Sequence, residues 1–519
     1  MELPVNSLRR ALVVALAILL SASACFLSCG LHGVWWLVWL APLPILFIAS
    51  KLGAWQAFAA ALAARALGGL VWWSYLRNVV QFPLWLTLSF VLIPATWFAL
   101  SVALYRGVLR KGNPWLAALA FPCAVVAAEY LFSLSQGTYM STGYTQLANL
   151  PILQLAAIAG IWAVSFATNL FPAGVAALIS APASHRWRVA LALAVIYACV
   201  LSYGLVRLNN TPQAPDSVMV GLVETHAGAN IFPSDATTRL ALMQQYAAEV
   251  QPLASQGAQY VIFPEMSSLV PDAAVPPIDE LFEKTARDAH VQILLGILHI
   301  TDHGAYNEAR LYSAAGEIEA VYRKHHLVPT WEARSTPGTG ISVLACPRTG
   351  AGGQAEQSAT PHTTSKVGIE ICRDMDYPEL ARRYGNQHVG LVLVPAWDQG
   401  VGVDADWHGH LSLMRGVEDG FTIVRDAKNG LLTASDDRGR ILAETPTRSD
   451  GAMVTMLARV PVRSDPTLYE RWGDWFAWFD LAGLAAIMAI AIFDSRRVGA
   501  ANRAEGVKSD PTREKVNTF

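Results

Sequence analysis

A multi-pass α-helical membrane bundle of about eight helices, joined to an α/β layered sandwich, is the fold class predicted by this 519-residue sequence. Three observations predict it. The composition is 53% hydrophobic and only 15% charged, against roughly 25% charged in an ordinary soluble domain. The apolar residues are unevenly spread: 11–207 is almost continuously apolar, 208–470 reads like a soluble domain, and 474–493 is apolar again. Within 208–470, short β-rich runs alternate with helical patterns, the mark of a layered α/β domain. The expected division is a membrane domain over 1–207, an external domain over 208–470, a last membrane helix over 471–494 and a cytoplasmic tail over 495–519. The tail, polar and mixed in charge, is expected to be disordered. A net charge of −2 gives no basic balance for nucleic acid. Six scattered cysteines are too few for a disulfide framework or a zinc site.

A membrane crossing needs about 20 apolar residues. Candidates lie at about 11–29, 34–50, 54–76, 82–105, 114–134, 151–180, 188–207 and 474–493. Lys and Arg in the short connections set the orientation. With the N-terminus inside, Arg9, Arg10, Lys51, Arg106, Arg110, Lys111, Arg186 and Arg188 lie inside, and the C-terminal tail adds Arg496, Arg497, Arg503, Lys508, Arg513 and Lys515. The short outside loops carry only Arg77. Seven crossings then deliver 208–470 to the outside. A competing reading takes Leu8-Arg9-Arg10, the apolar run and Ala22-Ser23-Ala24 as a cleaved signal peptide. Arg65 and Glu129 are ionisable residues inside membrane segments, candidates for function or for helix packing. The uncharged, polar and aromatic stretch 137–150 faces outside, as a loop beside the external domain.

In the external domain, strands are expected at 218–223, 260–263, 291–295, 309–313, 367–371, 389–394, 422–425 and 453–457, and helices at 236–254, 277–289, 377–385 and 405–418. Ser234 or Asp235 is the N-cap candidate of the first helix. The Gly-, Ser-, Thr- and Pro-rich stretch 346–365 reads as a surface loop.

Three strand ends carry chemistry. Tyr260-Val-Ile-Phe-Pro-Glu265 ends an apolar strand on a carboxylate, which apolar surroundings can turn into a general base. Tyr322-Arg-Lys324 follows a short strand with an ammonium able to hold an oxyanion. Lys366-Val-Gly-Ile-Glu-Ile-Cys372 puts a thiol at the end of an apolar strand, just before a helix-like segment, as in a nucleophile elbow. Taken singly, each is as readily a solvated Glu, a surface Lys or a buried structural Cys. Pairing of Cys346 with Cys372 in an oxidising exterior is the minor reading.

The ordered set Glu265, Lys324, Cys372 resembles the carbon–nitrogen hydrolase (nitrilase) superfamily, whose triad stands in this chain order on an αββα fold. With seven crossings before it and one after, the chain resembles the apolipoprotein N-acyltransferase family over about 470 residues. Further matching stretches are Gly143-Tyr144-x-Gln146, Pro151-x-x-Gln154, Gly160-x-x-x-x-Ser165-Phe166, Tyr306-Asn307, Lys324-His-His-Leu-Val-Pro329, Ala396-Trp397, His410, Arg415-Gly-Val-Glu418, Arg425 and Gly430. The resemblance implies Glu265 as general base, Lys324 as oxyanion stabiliser, Cys372 as nucleophile and Glu332 as a second, positioning glutamate. It implies supporting places for Arg373, Asp374, Trp331, Trp397 and Tyr144, with the Arg373 backbone N–H in the oxyanion hole.

Departures mark a divergent member. Thr330-Trp331 stands where the family has Phe-Gly, Arg373-Asp374 where it has Tyr-Glu, and Arg415-Gly416 where it has Arg-Ala. Residues 224–230 lack the usual Gln-rich pattern, and the family's Lys-Trp pair has no equivalent. The resemblance implies transfer of a fatty acyl group from a phospholipid donor through a Cys372 thioester to the N-terminal amine of a lipoprotein acceptor. It implies no metal and no organic cofactor, no nucleic acid, a monomer in the lipid bilayer of the bacterial inner membrane, and a periplasmic catalytic domain. A membrane-anchored amidase or nitrilase-type hydrolase, another amine acceptor, and an inactive lipid-binding protein are the alternatives. A lipid-facing mouth at Trp331 and Trp397 would favour transfer; a closed polar pocket would favour hydrolysis.

Overall fold

Among the described residues of this computed structural model, seven helices are long and apolar enough to cross a membrane. The structure describes residues 5–29, 33–211, 214, 216–225, 235–329, 331–346, 365–398, 403–447 and 453–508. The first part of the chain runs through α1 (Val5–Ser28), α2 (Leu43–Ala49), α3 (Ala54–Gly69), α4 (Leu84–Leu109), α5 (Pro114–Gln136), α6 (Leu150–Leu153), α7 (Ala156–Ser180) and α8 (Ala183–Asn209).

The second expected crossing, 34–50, is not one helix. A 3-10 turn at Trp35–Trp39 is followed by α2, with Pro42 and Pro44 at the junction. Proline supplies no backbone N–H, so the ladder is interrupted there. The segment still returns along the full height of α1. Val34 N–H bonds the Leu27 carbonyl, Ser21 Oγ the Ala41 carbonyl, and Arg10 the Lys51 carbonyl. Leu27 and Arg10 are about 25 Å apart along a helix, so this broken element runs alongside most of α1.

The rest of the chain forms β1 (Asp216–Thr225), α9 (Ala236–Ala248), α10 (Val250–Ser255), β2 (Tyr260–Ile262), β3 (Leu269–Pro271), α11 (Val275–Ala289), β4 (Gln292–Thr301), β5 (Gly304–Tyr312), β6 (Ile318–Arg323), β7 (Ser342–Ala345), β8 (Lys366–Ile369), α12 (Pro378–Gly385), β9 (Leu391–Trp397), α13 (Val403–Leu411), α14 (Leu413–Asp419), β10 (Thr422–Lys428), β11 (Leu431–Ser435), β12 (Ile441–Pro446), β13 (Met453–Val462), α15 (Leu468–Trp472) and α16 (Trp475–Lys508). β3, β7, β11, β12 and α15 have no counterpart among the expected elements; α9 and α10 stand where one helix is expected, and so do α13 and α14. Asp235 is the N-cap of α9, its side chain accepting from Thr238 N–H at 2.8 Å. Ser234, residues 226–230 and most of the 346–365 stretch lie outside the described residues. The expected disordered tail is corrected in part: α16 continues to Lys508, because Ala, Arg and Glu in 495–508 favour helix.

Two sheets face each other. One has the order β13-β1-β2-β4-β5-β6, with β3 beside β4; the other is β12-β11-β10-β9-β8-β7. Val220, Leu222, Tyr260, Ile262, Leu294, Ile369, Leu391, Leu393 and Val424 fill the space between them. The alternate residues of the same strands face outward onto helices. Val261, Phe263, Ile293 and Leu295 pack with α9, α10 and α11, and Val392, Val394 and Ile423 pack around α12. Strands buried on both faces read as unbroken apolar runs, which is why β1, β2, β4 and β9 are plain in the sequence. The result is an αββα sandwich. β1, β2 and β4 are parallel, and β6 runs with them because two antiparallel steps separate it from β4. β8, β9 and β10 are parallel in the other sheet.

The membrane part and the sandwich share a core: Val126, Tyr130, Tyr144, Ile161 and Trp162 pack with Leu411, Met414, Val417 and Ala477. Helical geometry in α7 breaks at Ala159–Gly160, where Gly160 has φ +67°. The freed Ile161 N–H donates to Glu418 Oε1 of α14 at 2.7 Å. Trp162 Nε1 donates to Asp474 Oδ1 at 2.7 Å, which also accepts from Tyr469. At the far end of the bundle, Arg10 reaches Lys51, Arg106 reaches Leu52, and Lys111 reaches Ala491, well along α16 from the sandwich. The basic turn residues therefore gather on the face opposite the α/β domain.

Gly160→Ala should lower the unfolding temperature of the full chain in detergent. A Cβ there would meet the Tyr469 ring, and the backbone conformation disfavours L side chains. About 1–3 kcal/mol of stability should be lost, and an unchanged transition would contradict this description of the joint.

Candidate active site

Glu265, Lys324 and Cys372 follow β2, β6 and β8, three strands that end at the same edge of the sandwich. The Glu265 N–H donates to the Ala396 carbonyl of β9 at 3.3 Å, tying the first sheet to the second at that edge. Gly296 of β4 lies under this loop; a Cβ there would collide with the Pro264 carbonyl and the Glu265 backbone. The small residue therefore lets the Glu265 loop lie flat on the sheet.

Lys324 Nζ donates to Glu265 Oε1 at 2.6 Å and to Glu332 Oε2 at 2.8 Å. Asn307 Nδ2 lies 2.6 Å from Glu265 Oε1 and 2.6 Å from Glu332 Oε1, so one amide serves both carboxylates. Glu332 Oε2 also accepts from Val328 N–H at 2.7 Å, closing its own loop. Glu265 is 3% exposed, Lys324 1% and Glu332 3%. Burial raises the Glu265 carboxyl above its ordinary range, and Lys324 offsets only part of that. Burial works against the Lys324 charge, but Glu265, Cys372 and Glu332 outweigh it and hold the ammonium above its ordinary value. Asn307 was noted in the sequence only as part of a matching stretch, and its role as the bridge between two glutamates was missed. Nothing in the spacing of 265, 307 and 332 signals that they meet.

Cys372 opens a five-residue 3-10 turn and has φ +49°. A non-glycine residue in that region is strained, and such strain gathers at functional turns. Its Sγ is half-buried and lies 3.6 Å from the Trp397 carbonyl. Burial, then Glu265, pushes the thiol well above its ordinary value; Lys324 and Arg425 draw it partly back. Burial thus favours the thiol over the thiolate. Cys346 and Cys372 are not joined in a disulfide.

The other expected residues fall into two groups. Trp331, 53% exposed, stands edge-on to Trp397 at 6.5 Å, forming an open aromatic rim. Asp374 is a clamp: its carboxylate accepts from Tyr322 Oη at 2.7 Å, from His325 and His326 N–H at 3.1 and 2.8 Å, and from Ile371 N–H at 3.3 Å. Burial opposes its charge, but the bonds from His326 and Tyr322 keep it below the usual range. It thus joins the Lys324 loop to the cysteine turn. The Arg373 guanidinium bonds the Leu327 and Gln136 carbonyls, strapping the turn to the end of α5. Tyr144 belongs to the domain joint, where its hydroxyl meets Thr138 at 2.8 Å and Arg415 at 3.4 Å. Thr330 lies outside the described residues.

Lys324→Met should destabilise the fold by about 3–5 kcal/mol, since it leaves two buried carboxylates facing each other. Thermal unfolding in detergent measures this. Adding Glu265→Gln and Glu332→Gln should restore most of the loss, whereas a single variant as stable as the parent would show that the cluster is not charged as described.

Residues 21–174 match the family described as apolipoprotein N-acyltransferase N-terminal domain, and residues 225–465 match carbon-nitrogen hydrolase. The apolipoprotein N-acyltransferase of Geobacter metallireducens is 25% identical over 480 residues, covering 88% of this chain and 91% of its own. That of Azotobacter vinelandii is 28% identical over 427 residues, 78% of each chain. Among solved structures, an amidase from Nesterenkonia sp. aligns with a TM-score of 0.38 at 21% identity, covering 48% of this chain and 91% of that one. With a membrane domain and a hydrolase domain matched in that order, and full-length relatives alike across both, the chain belongs to the apolipoprotein N-acyltransferase family of the carbon–nitrogen hydrolase superfamily.

Proposed function

We propose that this membrane protein moves a fatty acyl group from a phospholipid, through a thioester on Cys372, to the N-terminal amine of a diacylglyceryl-cysteine lipoprotein. The observation that carries the reading is the buried Glu265–Lys324–Glu332 cluster at the strand edge that also bears the strained Cys372. Glu265 takes the thiol proton as sulfur attacks the ester carbonyl. Lys324 and backbone N–H groups, that of Arg373 among them, hold the oxyanion. The carbon–oxygen bond breaks, Glu265 returns the proton to the leaving lysophospholipid oxygen, and the thioester remains. The lipoprotein amine then forms the carbon–nitrogen bond, the carbon–sulfur bond breaks, and its proton passes through Glu265 back to sulfur. This is covalent, two-stage catalysis.

Acyl transfer rather than hydrolysis is supported by the exposed Trp331 beside Trp397 and by the core shared with the membrane helices. Both proposed substrates are lipids and would arrive from the bilayer. The basic turns on the face opposite the sandwich support a cytoplasmic position for that face and a periplasmic one for the catalytic domain, in the bacterial inner membrane. Glu332 and Asp374 act as positioning residues for Lys324 and the cysteine turn.

Intact-mass measurement after incubation with phospholipid tests the reading. A fatty-acyl adduct on Cys372, labile to hydroxylamine and absent in Cys372→Ser, is the expected result. Release of ammonia from small amides with no lipid-derived adduct would overturn it. Glu265→Gln should slow adduct formation by about 10²–10⁴-fold. Because the base must be ionised and burial raises its pKa, the acid limb of the acylation rate should lie above the ordinary glutamate value of about 4.3. A limb at or below that value would contradict the role given to Glu265.

A further inference from the structure

The apolar layer between the sheets does not remain apolar to its edge. Leu222 of β1 and Val424 of β10 face the interior between the sheets. By strand alternation, Glu224, Asp426 and Lys428 continue the same faces one and two steps further on. All three are buried, Lys428 at 1% exposure. Their polar atoms are only partly matched. Glu224 Oε1 accepts from Thr225 Oγ1 at 3.0 Å and Asp426 Oδ2 from Val223 N–H at 3.0 Å, while Glu224 Oε2 and Asp426 Oδ1 have no hydrogen-bond partner. Burying three ionisable groups in a sheet interior is costly, and such arrangements mark sites more often than scaffolds.

Lys428 is the member that reaches the chemistry. Its Nζ donates to the Met266 carbonyl at 2.7 Å and lies 4.9 Å from the centre of the Trp397 ring. Met266 follows Glu265 directly and has φ +49°, so its backbone is strained. The Trp397 carbonyl is the acceptor beside Cys372 Sγ. Lys428 therefore touches the residue next to the proposed base and the residue whose carbonyl meets the thiol.

We propose that Lys428 is a positioning residue that holds the Glu265 loop and the Trp397 carbonyl in working geometry and sets the alkaline limit of the reaction. This rests on the reading of Glu265 as the base. Burial draws the Lys428 ammonium down to about 8, against Glu224 of β1, Glu265 of the β2 loop and Asp426 of its own strand, which all favour its charge. Arg425, at the middle of the same strand, pairs with Asp398 just past the end of β9. Below that pH the charged Lys428 anchors the Met266 carbonyl; as pH rises through it, the anchor weakens and turnover falls.

The test uses the full chain in detergent, as parent, Lys428→Met and Lys428→Arg. Two rates are followed between about pH 6 and 10: acyl transfer from phospholipid, and alkylation of the Cys372 peptide by iodoacetamide, which needs no lipid substrate. Lys428→Met should lower kcat at neutral pH by at least about tenfold, the worth of one charged hydrogen bond. The donor KM should change by less than about twofold, because the contact acts on the base rather than on binding. The alkaline limb should vanish in Lys428→Met and move to higher pH in Lys428→Arg, which should also recover most of the rate. Loss of folded protein without movement of the limb in Lys428→Arg, or a parent-like profile in both variants, would overturn the proposal. If alkylation follows the expected pattern and no acyl group is transferred, Lys428 keeps its role and the acyltransferase reading falls.

Discussion

One ammonium between two carboxylates is the interaction on which the rest of this site depends. Lys324 lies buried against Glu265 and Glu332, and Asn307 bridges the same two carboxylates. In low dielectric such a cluster holds only when each charge has its partner and each partner is fixed. Fixing them recruits four segments: the ends of β2 and β6 and the middle of β5, all of one sheet, and the loop that carries Glu332. Asp374 then binds the Lys324 loop to the turn that holds Cys372. The strained cysteine turn is thus tied through Asp374 to the Lys324 loop, while burial, then Glu265, raises the thiol and Lys324 draws it partly back.

The second constraint is the rigid attachment of this edge to the membrane helices. Thr138 N–H bonds the Asp376 carbonyl, and Arg373 reaches Gln136, so the cysteine turn is fastened to the end of α5. Glu418 fills the break in α7, and Asp474 ties Trp162 to Tyr469. A soluble hydrolase would have no use for these bonds. In the proposed reaction they keep Cys372 at a fixed height above the bilayer, where a lipid ester and a lipid-anchored amine can both reach it.

Much of this was legible in the sequence, for physical reasons that also explain the rest. β1, β2, β4 and β9 are buried on both faces, so Val218–Val223 and Leu391–Val394 stand out as apolar runs. Glu265 and Cys372 were legible because each follows such a strand with a reactive group, and Lys324 because it follows the short, mostly exposed β6 in the matching chain order. The short β7, the Ser- and Asp-flanked β11 and the exposed β12 carry no such pattern. Asn307, Asp374 and Lys428 act through contacts tens to more than a hundred residues away in the chain, and local spacing does not encode these. The broken second crossing was legible as apolar length, and Pro42 and Pro44 were its visible sign. Arg373 was legible only as a supporting residue beside the nucleophile; its guanidinium is engaged by the Leu327 and Gln136 carbonyls.

The central claim is that an amine, not water, resolves the Cys372 thioester. The direct measurement is the fate of a preformed acyl-enzyme, freed of excess phospholipid, when a diacylated lipopeptide with a free N-terminal amine is added. If an amine resolves the thioester, the adduct is lost at a rate set by lipopeptide concentration and a triacylated amide appears in matching amount. Release of free fatty acid with the lipopeptide unchanged would contradict it and make the protein a membrane-bound hydrolase.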